Sequence, residues 1–158
     1  MIVFPSLGKS RIKNIDAGMN SLKEAVQGDS VTLILEDDMD ISRGDLITGI
    51  NDMPSLSREI RLMICWFNEK PLSTSARYII RNHANESVCR IKCINFKVNI
   101  STMQKEPSDQ VMMNDIANII VLTSKPLYFD PFVKNNITGS FILIDEVTNE
   151  TIAAGMGD

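Results

Sequence analysis

Three groups of residues in this chain are of types that could do chemistry: Gly8-Lys9-Ser10; Cys65, Cys89 and Cys93 with the lone His83; and the carboxylates Asp37, Asp38 and Asp40. A Gly-Lys-Ser tripeptide ends a phosphate-cradling loop when a glycine stands five residues earlier, after a strand and before a helix. That earlier position is Val3, and a strand pattern follows Ser10 where the motif needs a helix, so a hairpin turn is expected. Four-residue spacing on a strand would put the Cys89 and Cys93 thiols on one face. Structural zinc wants four ligands, usually in tighter pairs, and only Cys65 remains to extend the set, so the cysteines read as small buried hydrophobes. A nucleophilic cysteine would need His83 beside it as base, but His83 falls in a predicted turn, His83-Ala84-Asn85-Glu86. The carboxylates of Asp37, Asp38 and Asp40 resemble a cation loop and read as a solvated excursion. Arg43-Gly44-Asp45 reads as a turn, and the sequon asparagines Asn85, Asn99, Asn136 and Asn149 as turn and loop residues. No catalytic, cofactor-binding or metal-ligating residue is expected.

Composition narrows the classes further. The 158 residues carry 16 basic and 20 acidic side chains, a net charge of −4, with 44% hydrophobic content. That supports a folded core and opposes a nucleic-acid binder, which needs a basic excess or stripe. Lys9, Arg11 and Lys13 alternate and are expected to line a solvated strand face. Three cysteines without a secretory leader point to a reducing, cytoplasmic setting, and apolar runs such as 119–122 and 141–144 are too short to span a bilayer.

The elements that position these residues are strands. Helical periodicity is confined to a turn or two at 21–26 and 109–116. Ile2-Val3-Phe4 stops at Pro5-Ser6-Leu7-Gly8, and Lys9 to Asp16 alternates imperfectly. Gln27-Gly28-Asp29 launches a strand in which Val31, Leu33 and Leu35 face one way; its glycine supplies a backbone angle that other residues resist. A strand from Leu46 to Ile50 precedes a break at Asn51-Asp52-Met53-Pro54-Ser55, which divides the chain into 1–52 and 53–158. Beyond it, Ile60, Leu62, Ile64 and Trp66 share a face, and strands are expected over 76–82, 87–98, 116–123, 139–147 and 151–156. Six short antiparallel strands suit a closed barrel, which removes unpaired edges. Four strands before residue 52 are too few to close one. The expected fold is therefore all-β: two small antiparallel barrels, the first incomplete through strands missing ahead of Met1.

The closing residues, Tyr128-Phe129-Asp130-Pro131-Phe132, Thr138-Gly139-Ser140-Phe141-Ile142-Leu143-Ile144-Asp145, Thr148-Asn149-Glu150-Thr151 and Ala153-Ala154-Gly155-Met156, resemble the C-terminal barrel of the large, GTP-binding subunits of bacterial sulfate adenylyltransferases. Thr32 to Asp45 is similar to the second domain of that family, and Trp66-Phe67-Asn68-Glu69-Lys70-Pro71-Leu72 to the opening of its third. Phe67 departs from a more typical methionine. The resemblance implies translation-factor-type barrels whose GTPase domain, with GTP and Mg, lies outside this chain. It implies two partners, that GTPase domain and the catalytic small subunit, in activating sulfate to adenosine 5′-phosphosulfate. No nucleic acid and no membrane is expected, and the open first barrel is expected to pair edges into dimers. Two rivals remain: a translation-factor fragment gripping aminoacylated RNA, and a free-standing β-barrel module.

Aromatic residues are few, so their placement matters. Trp66, Phe67, Tyr128, Phe129 and Phe132 are the candidate partner-interface residues, because aromatics are enriched where proteins dock. The alternative for the last three is a loop pinned to the barrel by its own rings.

Overall fold

The computed structural model describes residues 1–83 and 85–158. Every regular element among them is a strand, and the chain divides into two compact units, Met1–Met53 and Pro54–Asp158. The predicted turn at His83 includes Ala84, which lies outside the described residues.

The first unit holds six short strands: β1 (Ile2–Phe4), β2 (Gly8–Lys9), β3 (Ile12–Ala17), β4 (Asn20–Leu22), β5 (Thr32–Leu35) and β6 (Leu46–Thr48). They form two three-stranded antiparallel sheets, ordered β2-β1-β6 and β4-β3-β5. The strand expected from Lys9 to Asp16 is split at Ser10 and Arg11. The Ser10 hydroxyl donates to Asp37 Oδ2 at 2.8 Å and accepts from the Asp37 N–H at 3.2 Å. These bonds tie the break between β2 and β3 to the segment that follows β5. The helical turn expected over 21–26 is absent, because Asn20–Leu22 pairs with Ile15–Ala17 as strand β4. Val31, Leu33 and Leu35 are half-buried while Thr32 and Ile34 are exposed, as alternation requires.

The second unit is a barrel. Its strands are β7 (Ser55–Trp66), β8 (Tyr78–Asn82), β9 (Asn85–Asn99), β10 (Gln104–Glu106), β11 (Ile116–Phe129), β12 (Ser140–Asp145) and β13 (Thr151–Gly157). The ladder β9-β11-β7-β13-β12-β8 closes through β8–β9 pairing, and β10 extends β9 at one end. Ile60, Leu62, Ile64 and Trp66 are all buried, as their alternation requires, and join Ile80, Ile119, Val121, Leu143 and Ile152 in one core. The second expected helical turn, over 109–116, is also absent. Asp115 Oδ2 accepts from the Met112 N–H at 2.7 Å, and Asn114 takes a left-handed φ of 68°. A side-chain-closed turn of that kind replaces helix.

β11 runs past Pro126 to Phe129, six residues beyond the expected end at Thr123. A register shift between Leu122 and Leu127 lets the strand absorb the proline and resume pairing, with Phe129 opposite Ser55. Bulges carry the extra residues that straight alternation cannot.

Candidate functional site

The chemistry-bearing groups are dispersed. Gly8 and Lys9 form strand β2, opposite Val3 and Ile2, so the Gly-Lys-Ser tripeptide serves a hairpin. Arg43 and Gly44 lie in a turn in which the Asp45 N–H donates to Ser42 O at 3.0 Å and the Ser42 N–H to Asp45 Oδ2 at 2.9 Å. Gly44 adopts φ 104°, which the missing Cβ permits.

The shared face expected for the two thiols does not exist. Cys89 pairs with Thr123 and Cys93 with Ile120, across a register shift between Ile120 and Val121. Residues 120 and 123 of a regular strand point to opposite faces. Cys89 is therefore inside the barrel, where burial pushes its thiol up to about 12, and Cys93 is outside. No group of three or more His, Cys, Asp or Glu among the described residues could hold a metal. No helix among them is long and apolar enough to cross a membrane.

The five aromatic candidates separate by exposure. Trp66 is 2% exposed, its indole N–H donating to Lys70 O at 2.8 Å, its ring edge-on to Tyr78 at 6.1 Å. Tyr128 is 1% and Phe129 8% exposed, and both stand in β11 where the sequence suggested a loop. Phe129 packs on Phe141, centroids 6.1 Å apart. Phe132 is half-buried, and Phe67 is 43% exposed. Phe67 extends β7 by donating its N–H to Ile152 O, beside the Trp66 carbonyl that accepts from Asn114. Exposed Met112 and Met113 precede Asn114 in that same loop.

A second surface lies on the barrel itself. Two grooves, of about 490 and 340 Å³, lie on the outer wall of the barrel and share Arg61 and Asp158. Met63, Phe96 and Val98 line the larger, Ile120 and Phe129 the smaller. The Lys105 ammonium sits 4.7 Å over the Phe96 ring, a favourable cation–π distance. Asn118, buried beneath, accepts from Asn95 Nδ2 at 2.7 Å. The usable signal was Phe96 and Val98 alternating on β9, which its two register shifts hide.

Residues 59–158 match the family model described as the GTP-eEF1A C-terminal domain-like family. The chain belongs to that family. Sulfate adenylyltransferase subunit 1 of Bacteroides fragilis is 37% identical over 99% of this chain and 33% of its own length. The protein of the same name from Shewanella woodyi is 38% identical over 96% of this chain and 32% of its length. The chain thus spans about a third of these relatives. Sup35 complexed with GDP shares the fold, with a TM-score of 0.82 and 17% identity over 99% of this chain and 39% of that one. These likenesses agree with a C-terminal β-barrel region of a GTPase-family protein. The barrel wall and its closing hairpin fall inside the family match, whereas the first unit lies outside it.

Proposed function

We propose that this chain is the C-terminal barrel region of a sulfate adenylyltransferase large subunit, acting in a cytoplasmic complex. In that complex, ATP and sulfate become adenosine 5′-phosphosulfate and pyrophosphate, driven by GTP hydrolysis in a domain outside the region described. The observation that carries the reading is 36–38% identity to several proteins of that name along nearly the whole chain. The region's own task is mechanical: it orients against the GTPase domain and docks the catalytic small subunit. GTP and Mg belong to the other domain, and nucleic acid has no part. Phe67, with Met112 and Met113, offers exposed apolar surface for such contacts, and half-buried Phe132 adds a partly open ring. Trp66, Tyr128 and Phe129 act by holding the barrel that presents it. The strands β2, β4, β5 and β6 each have one partner within the first unit, and such edges favour pairing between copies.

The test is a sedimentation experiment on the 158-residue chain mixed with a purified sulfate adenylyltransferase catalytic subunit. A defined complex is expected, with no GTP binding by the chain alone in calorimetry. Retention of aminoacyl-tRNA together with indifference to the catalytic subunit would overturn the reading.

A further inference from the structure

We infer that the outer barrel wall around Arg61 is the docking surface for an acidic, apolar-flanked segment of the catalytic small subunit. This rests on the assignment to sulfate adenylyltransferase made above. On a filled barrel, outward positions are free to be polar, yet here Met63, Cys65, Phe96, Val98, Ile116 and Ile120 are only half-exposed and largely apolar. The charged groups on the wall are unequally matched. Lys92 is held by Glu59 at 2.6 Å and Lys97 by Asp115 at 2.8 Å. Arg61 makes no salt bridge or side-chain hydrogen bond among the described residues, and Lys105 is met only by the Phe96 ring. Asp158 is the one carboxylate lining both grooves; its N–H donates to the Arg61 carbonyl. The buried amide of Asn118 is occupied by Asn95 and by Met63 Sδ, so the floor calls for no polar ligand.

Among the described residues no carboxylate of the wall, Asp158 included, forms an ion pair with Arg61 or Lys105, and Met63 and Phe96 are only partly covered. A guanidinium takes a carboxylate through two parallel N–H donors. The chain as a whole carries −4, so an acidic partner is repelled by the bulk of the molecule and admitted at this wall. That combination selects orientation as well as partner.

The experiment compares the native chain with Arg61→Glu/Lys105→Glu, Arg61→Gln and Val147→Ala, a change at an 88% exposed hairpin position, for binding to the purified catalytic subunit. Charge reversal should weaken binding at least tenfold, Arg61→Gln by less, with Val147→Ala within about twofold. Added salt should weaken the native complex and not the reversed one. Unchanged thermal melting of the variants confirms that the barrel persists. If the native chain binds and reversal leaves affinity unaltered, the wall is not the docking surface while the assignment stands. If the native chain does not bind, both fail.

Discussion

Trp66 does two jobs that single substitutions can separate. It fills the barrel core and ties Lys70 O through its indole N–H. Trp66→Ala should cost about 3–5 kcal/mol, the usual range for emptying an aromatic site. Trp66→Phe keeps most of the packing and loses the hydrogen bond, so about 1–2 kcal/mol is expected. Urea unfolding of each variant measures both. The cysteines make a sharper residue-level case. With Cys89 buried and its thiol pushed up to about 12 by desolvation, only the half-exposed Cys65 and Cys93 should react with a disulfide reagent in the native chain. Cys89 should react only at the rate of unfolding. A third thiol labelled without unfolding would contradict the bulge that separates Cys89 from Cys93. Asp115 adds a pH dependence. Burial raises its pKa, but the Lys97 ammonium and the Met112 N–H outweigh that and hold it below the ordinary aspartate range. A carboxylate depressed in the folded state contributes stability that is fully present above its unfolded pKa and lost as pH falls through the folded one. Stability should therefore decline on acidification below about pH 4, and Asp115→Asn should flatten that decline in pH-dependent melting.

At the scale of elements, closure depends on how closely β13 approaches β7. A Cβ on Gly155 would lie 2.7 Å from both Ile64 Cγ2 and the Met63 carbonyl oxygen. The carbonyl belongs to the partner strand and has little room to retreat. Gly155→Ala should therefore force the seam apart at about 1–3 kcal/mol. Faster hydrogen exchange at Ile64 and Gly155 than elsewhere in the ladder would show it. Strands of unbroken alternation were plain from the residues: Ile60 to Trp66 needed nothing but period two. What hid were the places where the period breaks. β9 carries two register shifts and β11 one. A bulge leaves residue types unchanged while reversing which face they occupy, so the Cys89–Cys93 relation and the strand identity of Tyr128 and Phe129 were both misread. The two helical expectations failed for a related reason. Asp115 and Asn114 close a turn through a side chain and a left-handed residue, and Asn20 to Leu22 finds a strand partner in β3. Arg61, Phe96 and Lys105 meet only because β7, β11, β9 and β10 lie side by side, an adjacency that no spacing along the chain encodes.

At the scale of the whole molecule, the two units differ in what they possess. The second encloses a continuous core of large side chains inside a ladder with no open seam. The first is 53 residues with two separate three-stranded sheets, and its only buried hydrophobic residues are Ile2, Val3 and Phe4. Below about 70–80 residues a single core rarely supplies more than about 3–5 kcal/mol, and this unit's core is smaller than most. Each buried aliphatic side chain is worth about 1.5–3 kcal/mol, against a backbone ordering cost of about 1–2 kcal/mol per residue. A chain of residues 54–158 should therefore fold alone, with a cooperative urea transition, whereas residues 1–53 should not. In the intact chain the same asymmetry should appear as two tiers of protection in hydrogen exchange. β7, β11 and β13 should open only with global unfolding, and β3, β4 and β5 through far cheaper local fluctuations. Equal protection in both units would mean that the first draws stability from contacts beyond its own sheets. Cutting the chain at residue 53 would then lower the melting temperature of the barrel as well as releasing the shorter piece. The fragment and the intact chain, melted side by side, decide between these outcomes.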